Sequence, residues 1–207
     1  MDRHPVHHDA ALSRLRQGNE RFVANVRSIS SLGGQEQREA LIDGQKPFAI
    51  VLSCSDSRAP SELVFDCGLG ELFVVRVAGN IVAPSIVGSV EFAAATFGTE
   101  LVVVMGHTRC GAVAATVEAL RSGKSAMSEN IRDIVDRVAP GIAELVTTEK
   151  SKEDIVRAAT RANVRASVGH LRHASRLLED RIAKGILRVV GAEYSLETGQ
   201  VDFFDMS

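Results

Sequence analysis

Phe48-Ala49-Ile50-Val51-Leu52-Ser53-Cys54-Ser55-Asp56-Ser57-Arg58 is an apolar run that ends abruptly in a cysteine and a cluster of polar side chains. An apolar run of this length without alternation reads as a strand buried on both faces, as in a parallel sheet covered by helices. Residues 72–77 and 101–105 repeat the pattern, short, Val-rich and bounded by Gly. Helical segments separate them. Residues 84–97 open on Pro84, a permitted first helical residue, and stop at Gly98. Residues 111–120 read as the helix leaving the third strand, and residues 131–146 as another, interrupted near Pro140-Gly141. The longest helix is expected from Ser151, which makes a capping-box-like start with Asp154, through Ile155, Leu171 and Leu178 to Gly185. Residues 186–194 and 200–204 flank Thr198-Gly199 and read as an antiparallel edge hairpin. Strands alternating with helices predict an α/β fold: a mostly parallel central sheet, four parallel strands plus an antiparallel edge strand, flanked by helices.

At 207 residues and 45% apolar content the chain fits a single domain. Residues 1–34 read as an N-terminal helical arm and 35–207 as the α/β core. Within the arm, residues 10–26 carry Leu12, Leu15, Phe22 and Val23 at roughly helical spacing, an amphipathic face with no obvious partner in the chain. With 24 Lys and Arg against 26 Asp and Glu, no global basic field favours nucleic acid or an anionic membrane. The apolar runs also fall far short of the roughly 20 residues that a membrane-spanning helix needs. Three cysteines with no leading basic-then-apolar segment suit a reducing cytoplasm better than a disulfide scaffold. His4, His7 and His8 form a loose cluster, expected to be a solvated terminus.

Ligands of such sheets bind beyond the carboxyl ends of the strands, and that is where two motifs fall. Cys54 follows the first strand. His107-Thr108-Arg109-Cys110 follows the third, and its three-residue spacing lets one tight turn aim His107 and Cys110 at a single metal. Two thiolates and one imidazole suit Zn2+, and three protein ligands leave a fourth tetrahedral position for water. Cys110 stands at a helix start, where free N–H groups favour a thiolate. Gly111 beside it either relieves the strand-to-helix turn or lets its N–H approach a bound anion. Asp56 can complete the metal's tetrahedron or hydrogen-bond a water held there; a bidentate pair with Arg58 would hold it off the metal. Cys67, in a Gly-rich turn, is not assigned to the metal.

These residues resemble the β-class carbonic anhydrases, in which a Cys-Ser-Asp-Ser-Arg motif and a later His-x-x-Cys motif hold catalytic zinc. The likeness extends to Gly18-Asn19-Glu20-Arg21-Phe22, to Phe73-Val74-Val75-Arg76, to Ala78-Gly79-Asn80 and to Gly88-Ser89-Val90-Glu91-Phe92. It is strongest over residues 45–117. The resemblance implies reversible hydration of CO2 to bicarbonate, with Cys54, His107 and Cys110 on zinc and Asp56 and Arg58 as a dyad. Gln45 stands where the plant-like subgroup carries a substrate-binding glutamine, so that subgroup is expected rather than the allosteric bicarbonate-binding one. Phe73 and Phe92 match an apolar wall supplied by a neighbouring subunit, and Phe92 replaces a tyrosine common in relatives. The resemblance also implies a homodimer or a dimer of dimers, with the N-terminal arm embracing the second subunit. On the same scaffold, a CS2 or COS hydrolase and a non-catalytic, zinc-stabilised bicarbonate-binding protein are the alternatives.

Overall fold

The computed structural model describes residues 5–28, 33–123, 128–148 and 151–204; His4 and residues 29–32 of the break expected after the first helix lie outside them. The elements follow in the order α1 (His8–Val23), α2 (Gln35–Ala40), β1 (Ala49–Ser53), α3 (Ser61–Val64), β2 (Leu72–Arg76), α4 (Pro84–Thr96), β3 (Leu101–His107), α5 (Gly111–Ser122), α6 (Glu129–Val146), α7 (Lys152–Arg172), α8 (Arg176–Ala183), β4 (Arg188–Tyr194) and β5 (Val201–Phe204). A short 3-10 turn, Ala78–Asn80, follows β2. The strands form one sheet in the order β2-β1-β3-β4-β5. The first four run parallel and β5 returns antiparallel to β4, as expected.

Both faces of the sheet are covered at its centre, which is why residues 49–52 of β1 and 101–105 of β3 are all apolar. Ala49, Val51, Leu101, Val103 and Met105 point into one apolar cluster, while Ile50, Leu52, Val102 and Val104 point into another. Alternate residues of β1 and β3 thus serve opposite faces. Among the described residues no helix is long and apolar enough to cross a membrane.

Helix α1 does find a partner within the chain. Ala11, Leu12 and Leu15 are buried in the first cluster with Phe48, Val51 and Phe65. The Gly-Asn-Glu-Arg-Phe stretch acquires a physical reason here. A Cβ on Gly18 would lie 1.9 Å from the carbonyl oxygen of Phe65, so only glycine lets α1 close on the end of α3. The Asn19 amide donates to the carbonyls of Val64 and Gly199, and its oxygen accepts from the N–H of Val201. Arg21 Nε donates at 2.6 Å to the fully buried carboxylate of Asp66.

Two helices depart from expectation. Helix α6 runs unbroken through Pro140. Pro140 is exposed, so the helical bond it removes lies on the outer face of the helix, while Val138 and Ile142 stay buried on the opposite side. The helix expected from 151 to 185 is instead α7 and α8. Ser151 caps the first as anticipated, accepting the N–H of Asp154. Ser175 then captures the N–H of Leu178 and starts a new helix, which turns Leu178 into the second cluster.

Gly18→Ala should lower the unfolding free energy by about 1–3 kcal/mol in urea titration, the scale of overpacking. That outweighs the roughly 0.5–1 kcal/mol that alanine gains over glycine inside a helix.

Candidate metal centre

The strand order places the centre. β1 and β3 are hydrogen-bonded neighbours with Ser53 opposite Met105, and β2 and β4 lie on either side. The chain moves from β2 across β1 to reach β3, so the crevice at the carboxyl ends of β1 and β3 is a topological switch point. Cys54 leaves β1 there, His107 ends β3, and Cys110 is the N-cap residue of α5.

All three ligand-type residues are buried, and the two Sγ atoms and a His107 ring nitrogen lie within 4.8 Å of one another. The sulfurs are 4.0 Å apart, close to the roughly 3.8 Å that a tetrahedral zinc with bonds of about 2.3 Å sets between them. His107 Nδ1 donates to the carbonyl of Thr108 at 2.9 Å, which leaves Nε2 as the acceptor. That Nε2 is buried with no hydrogen-bond partner among the described residues. A buried orphan acceptor beside two thiols fits a metal ion well.

The hydrogen bond shared with Cys110 lowers the Cys54 pKa, against the opposing effect of burial, and the N–H of Gly79 acts in the same direction. Cys110 is driven the other way by Cys54 and by burial, although the amides of Ala112 and Val113 at the start of α5 pull it down. Gly79 has φ +70°, a conformation glycine adopts freely, and its N–H points at Cys54 Sγ from 3.4 Å. Asn163 holds the carbonyl of the same residue at 2.8 Å.

Asp56 has turned to Arg58. Its Oδ1 accepts from Arg58 Nε and from the backbone N–H of Arg58, each at 2.9 Å, and its Oδ2 accepts from Arg58 Nη2 at 2.7 Å. These bonds to Arg58 hold the Asp56 carboxyl far below the usual carboxylate range. Oδ2 is also 3.8 Å from His107 Nε2, so Asp56 borders the group without joining it.

The remaining anticipated residues fall in two places. Gly111 is the first residue of α5, and a Cβ there would meet nothing within 4 Å, so the helix start is open on that side. Gln45 is exposed in the loop before β1, at the end of the strand opposite Cys54. Phe73, in the edge strand β2, packs against Phe92 and Phe97 at centroid distances of 6.2 and 6.0 Å, and Phe92 is 54% exposed. Within one chain Gln45, Phe73 and Phe92 do not join the group formed by Cys54, His107 and Cys110. Cys67 is buried, its thiol donating to the carbonyl of Phe65, and burial pushes its pKa up to about 12.

His7, His8 and Asp9 form a second group of ligand-type atoms. His8 is buried rather than solvated. Asp9 is already paired with Arg188 Nη1 at 2.6 Å, His7 Nδ1 accepts the N–H of Asp9, and a helix N-terminus repels a cation, so this group caps α1. A cavity of about 750 Å³ lies behind the His-x-x-Cys turn, lined by Thr108, Arg109, Lys152, Glu153, Arg157 and Glu197. None of the three ligand residues lines it.

One residue that sequence reasoning passed over is Arg76. Its Nε donates to the carbonyl of Cys54 at 3.0 Å and its Nη2 to the carbonyl of Asp56 at 2.6 Å. The guanidinium therefore braces the loop that presents both side chains. The available signal was a donor-only side chain closing an apolar strand at its carboxyl end.

A carbonic anhydrase family model matches residues 49–201. The chain is 38% identical over 191 residues to carbonic anhydrase 2 of Mycobacterium tuberculosis, covering 92% of this chain and 90% of that one. The chain belongs to the β-carbonic anhydrase family. It is thereby an enzyme of the carbonic anhydrase class. Among solved structures, the β-carbonic anhydrase CcaA superposes with a TM-score of 0.74 at 25% identity, covering 93% of this chain and 91% of that chain. The tetrameric β-carbonic anhydrases of Sordaria macrospora share the fold, with a TM-score of 0.70 at 24% identity over 81% of this chain and 85% of theirs. The β-carbonic anhydrase sheet is thus the scaffold of this centre.

Replacing Arg76 by Met should leave the fold intact and weaken metal affinity by about tenfold, the low end for partners that orient ligands, as read by competition with a chromophoric chelator.

Proposed function

We propose that this chain catalyses the reversible hydration of CO2 to bicarbonate and a proton, with Zn2+ held by Cys54, His107 and Cys110. The observation that carries the reading is the buried, unpartnered His107 Nε2 facing two thiols while Asp56 is held by Arg58. Zinc held there by Cys54, His107 and Cys110 would supply Lewis acidity, making water ionise near neutral pH. Asp56, acceptor-only while ionised, takes the hydrogen bond of the attacking water through the oxygen that faces His107 and aims its lone pair at the carbon of CO2. Arg58 keeps that carboxylate ionised and turned away from the ligand set. The Gly111 N–H, at an open helix start, stabilises charge that grows on the substrate oxygen.

We further infer a site of the plant-like subgroup in a homodimer or dimer of dimers. Gln45, Phe73 and Phe92 lie away from the ligand group of their own chain, which supports their reaching the site of a neighbouring subunit. There Gln45 hydrogen-bonds the substrate and the two phenylalanines wall the pocket for a nonpolar gas. The Asp56–Arg58 pairing favours turnover over a purely structural zinc site. Three unpaired thiols suit the reducing cytoplasm.

Cys54→Ser should abolish both zinc retention and CO2 hydration; a fully active, metal-loaded variant contradicts the ligand set. Arg58→Ala should slow hydration in stopped-flow assays. Because Arg58 lowers the Asp56 pKa, its loss raises that pKa only toward the ordinary carboxylate range, well below neutral, so the slowing should be read in the turnover at neutral pH and not in a shifted acid limb. An unchanged turnover contradicts the role given to Arg58.

A further inference from the structure

The turn that carries two of the three ligand atoms adopts a conformation that its own residues do not favour. Arg109 has φ +56°, in the left-handed region that residues with a Cβ avoid. The other described non-glycine residues with positive φ are Asn25, Asp66 and Asn80, whose short polar side chains tolerate it. Arginine has no such local compensation, so the turn must be held from outside.

The hold comes from the β4–β5 hairpin. Glu197 Oε1 accepts from Arg109 Nε at 2.6 Å, and Oε2 accepts from Thr108 Oγ1 at 2.7 Å. Thr108 Oγ1 in turn accepts the N–H of Leu196 at 3.0 Å, and Ser195 Oγ donates to Oε2 at 3.3 Å. One carboxylate therefore grips both residues that separate His107 from Cys110. The chain of contacts continues inward, because the carbonyl of Thr108 accepts from His107 Nδ1 and so selects the tautomer whose Nε2 faces the thiols. The Arg109 side chain is 75% exposed, and an ion pair so open to solvent contributes little by itself. Gripping Thr108 through the second oxygen is what ties Glu197 to the histidine.

We propose that Glu197 is a positioning residue whose carboxylate holds Thr108 and Arg109 in the strained turn that aims His107 and Cys110 at the metal. The proposal rests on the zinc reading above and adds a residue to it that lies outside the ligand set, the dyad and the substrate wall. It makes a signed prediction about strain: glycine at position 109 accepts a positive φ without cost, so it should relieve the need for Glu197.

The test is the rate at which excess EDTA strips zinc from the loaded wild type, from Glu197→Ala, and from Glu197→Ala combined with Arg109→Gly. Glu197→Ala should release zinc about tenfold faster or more, the scale of a lost partner that orients a ligand, and adding Arg109→Gly should recover most of the difference. Release from Glu197→Ala at the wild-type rate overturns the proposal, as does a double variant that releases no more slowly than the single one. Should Glu197→Ala fail to fold, the isosteric Glu197→Gln takes its place and must also release zinc faster than wild type. A wild-type chain that holds no zinc would overturn the zinc reading itself, a distinct result.

Discussion

The parallel pairing of β1 with β3 is the constraint on which the centre depends. Ser53 lies opposite Met105, so Cys54 and His107 emerge side by side from strands that are far apart in the chain. The register is enforced by the two apolar clusters that take alternate residues of each strand. A slip of one residue would exchange the two sets and turn every side chain to the opposite face, carrying His107 out of the crevice. α5 then begins directly after the turn, which puts Cys110 where helix amides can reach it.

Around this frame each polar group is held by a partner from a different element. Arg58 holds Asp56, Arg76 at the end of β2 holds the carbonyls of Cys54 and Asp56, and Glu197 on the hairpin holds the residues between His107 and Cys110. Asn163 of α7 fixes the 3-10 turn whose N–H meets Cys54. Buried polar atoms that lack partners are costly. The one this arrangement leaves among the ligand atoms, His107 Nε2, therefore points to an ion more strongly than any single contact does.

Much of this was legible from the chain alone. Short unbroken apolar runs marked β1, β2 and β3, and the positions of Cys54 and His107 at strand ends joined two weak motifs into one site. What escaped prediction is what depends on solvent exposure or on distant partners. Pro140 should break a helix by its covalent structure, yet it sits on the exposed face of α6, away from the buried Val138 and Ile142. Ser175 ends α7 through a side-chain bond that apolar periodicity does not register. Arg76 acts on atoms 20 and 22 residues away in the chain and Glu197 on atoms 88 and 89 away, beyond any local pattern. The apolar face of α1 has no partner nearby in the sequence, because Phe48, Phe65 and Val51 come to it only through the fold.

Whether the group at the β1–β3 crevice is a hydration centre is decided by stopped-flow CO2 hydration with zinc content measured on the same sample. Hydration should rise in proportion to bound zinc, disappear when the metal is stripped and return when zinc is restored. A chain that binds zinc fully and leaves the rate of CO2 hydration at the buffer value would contradict that role.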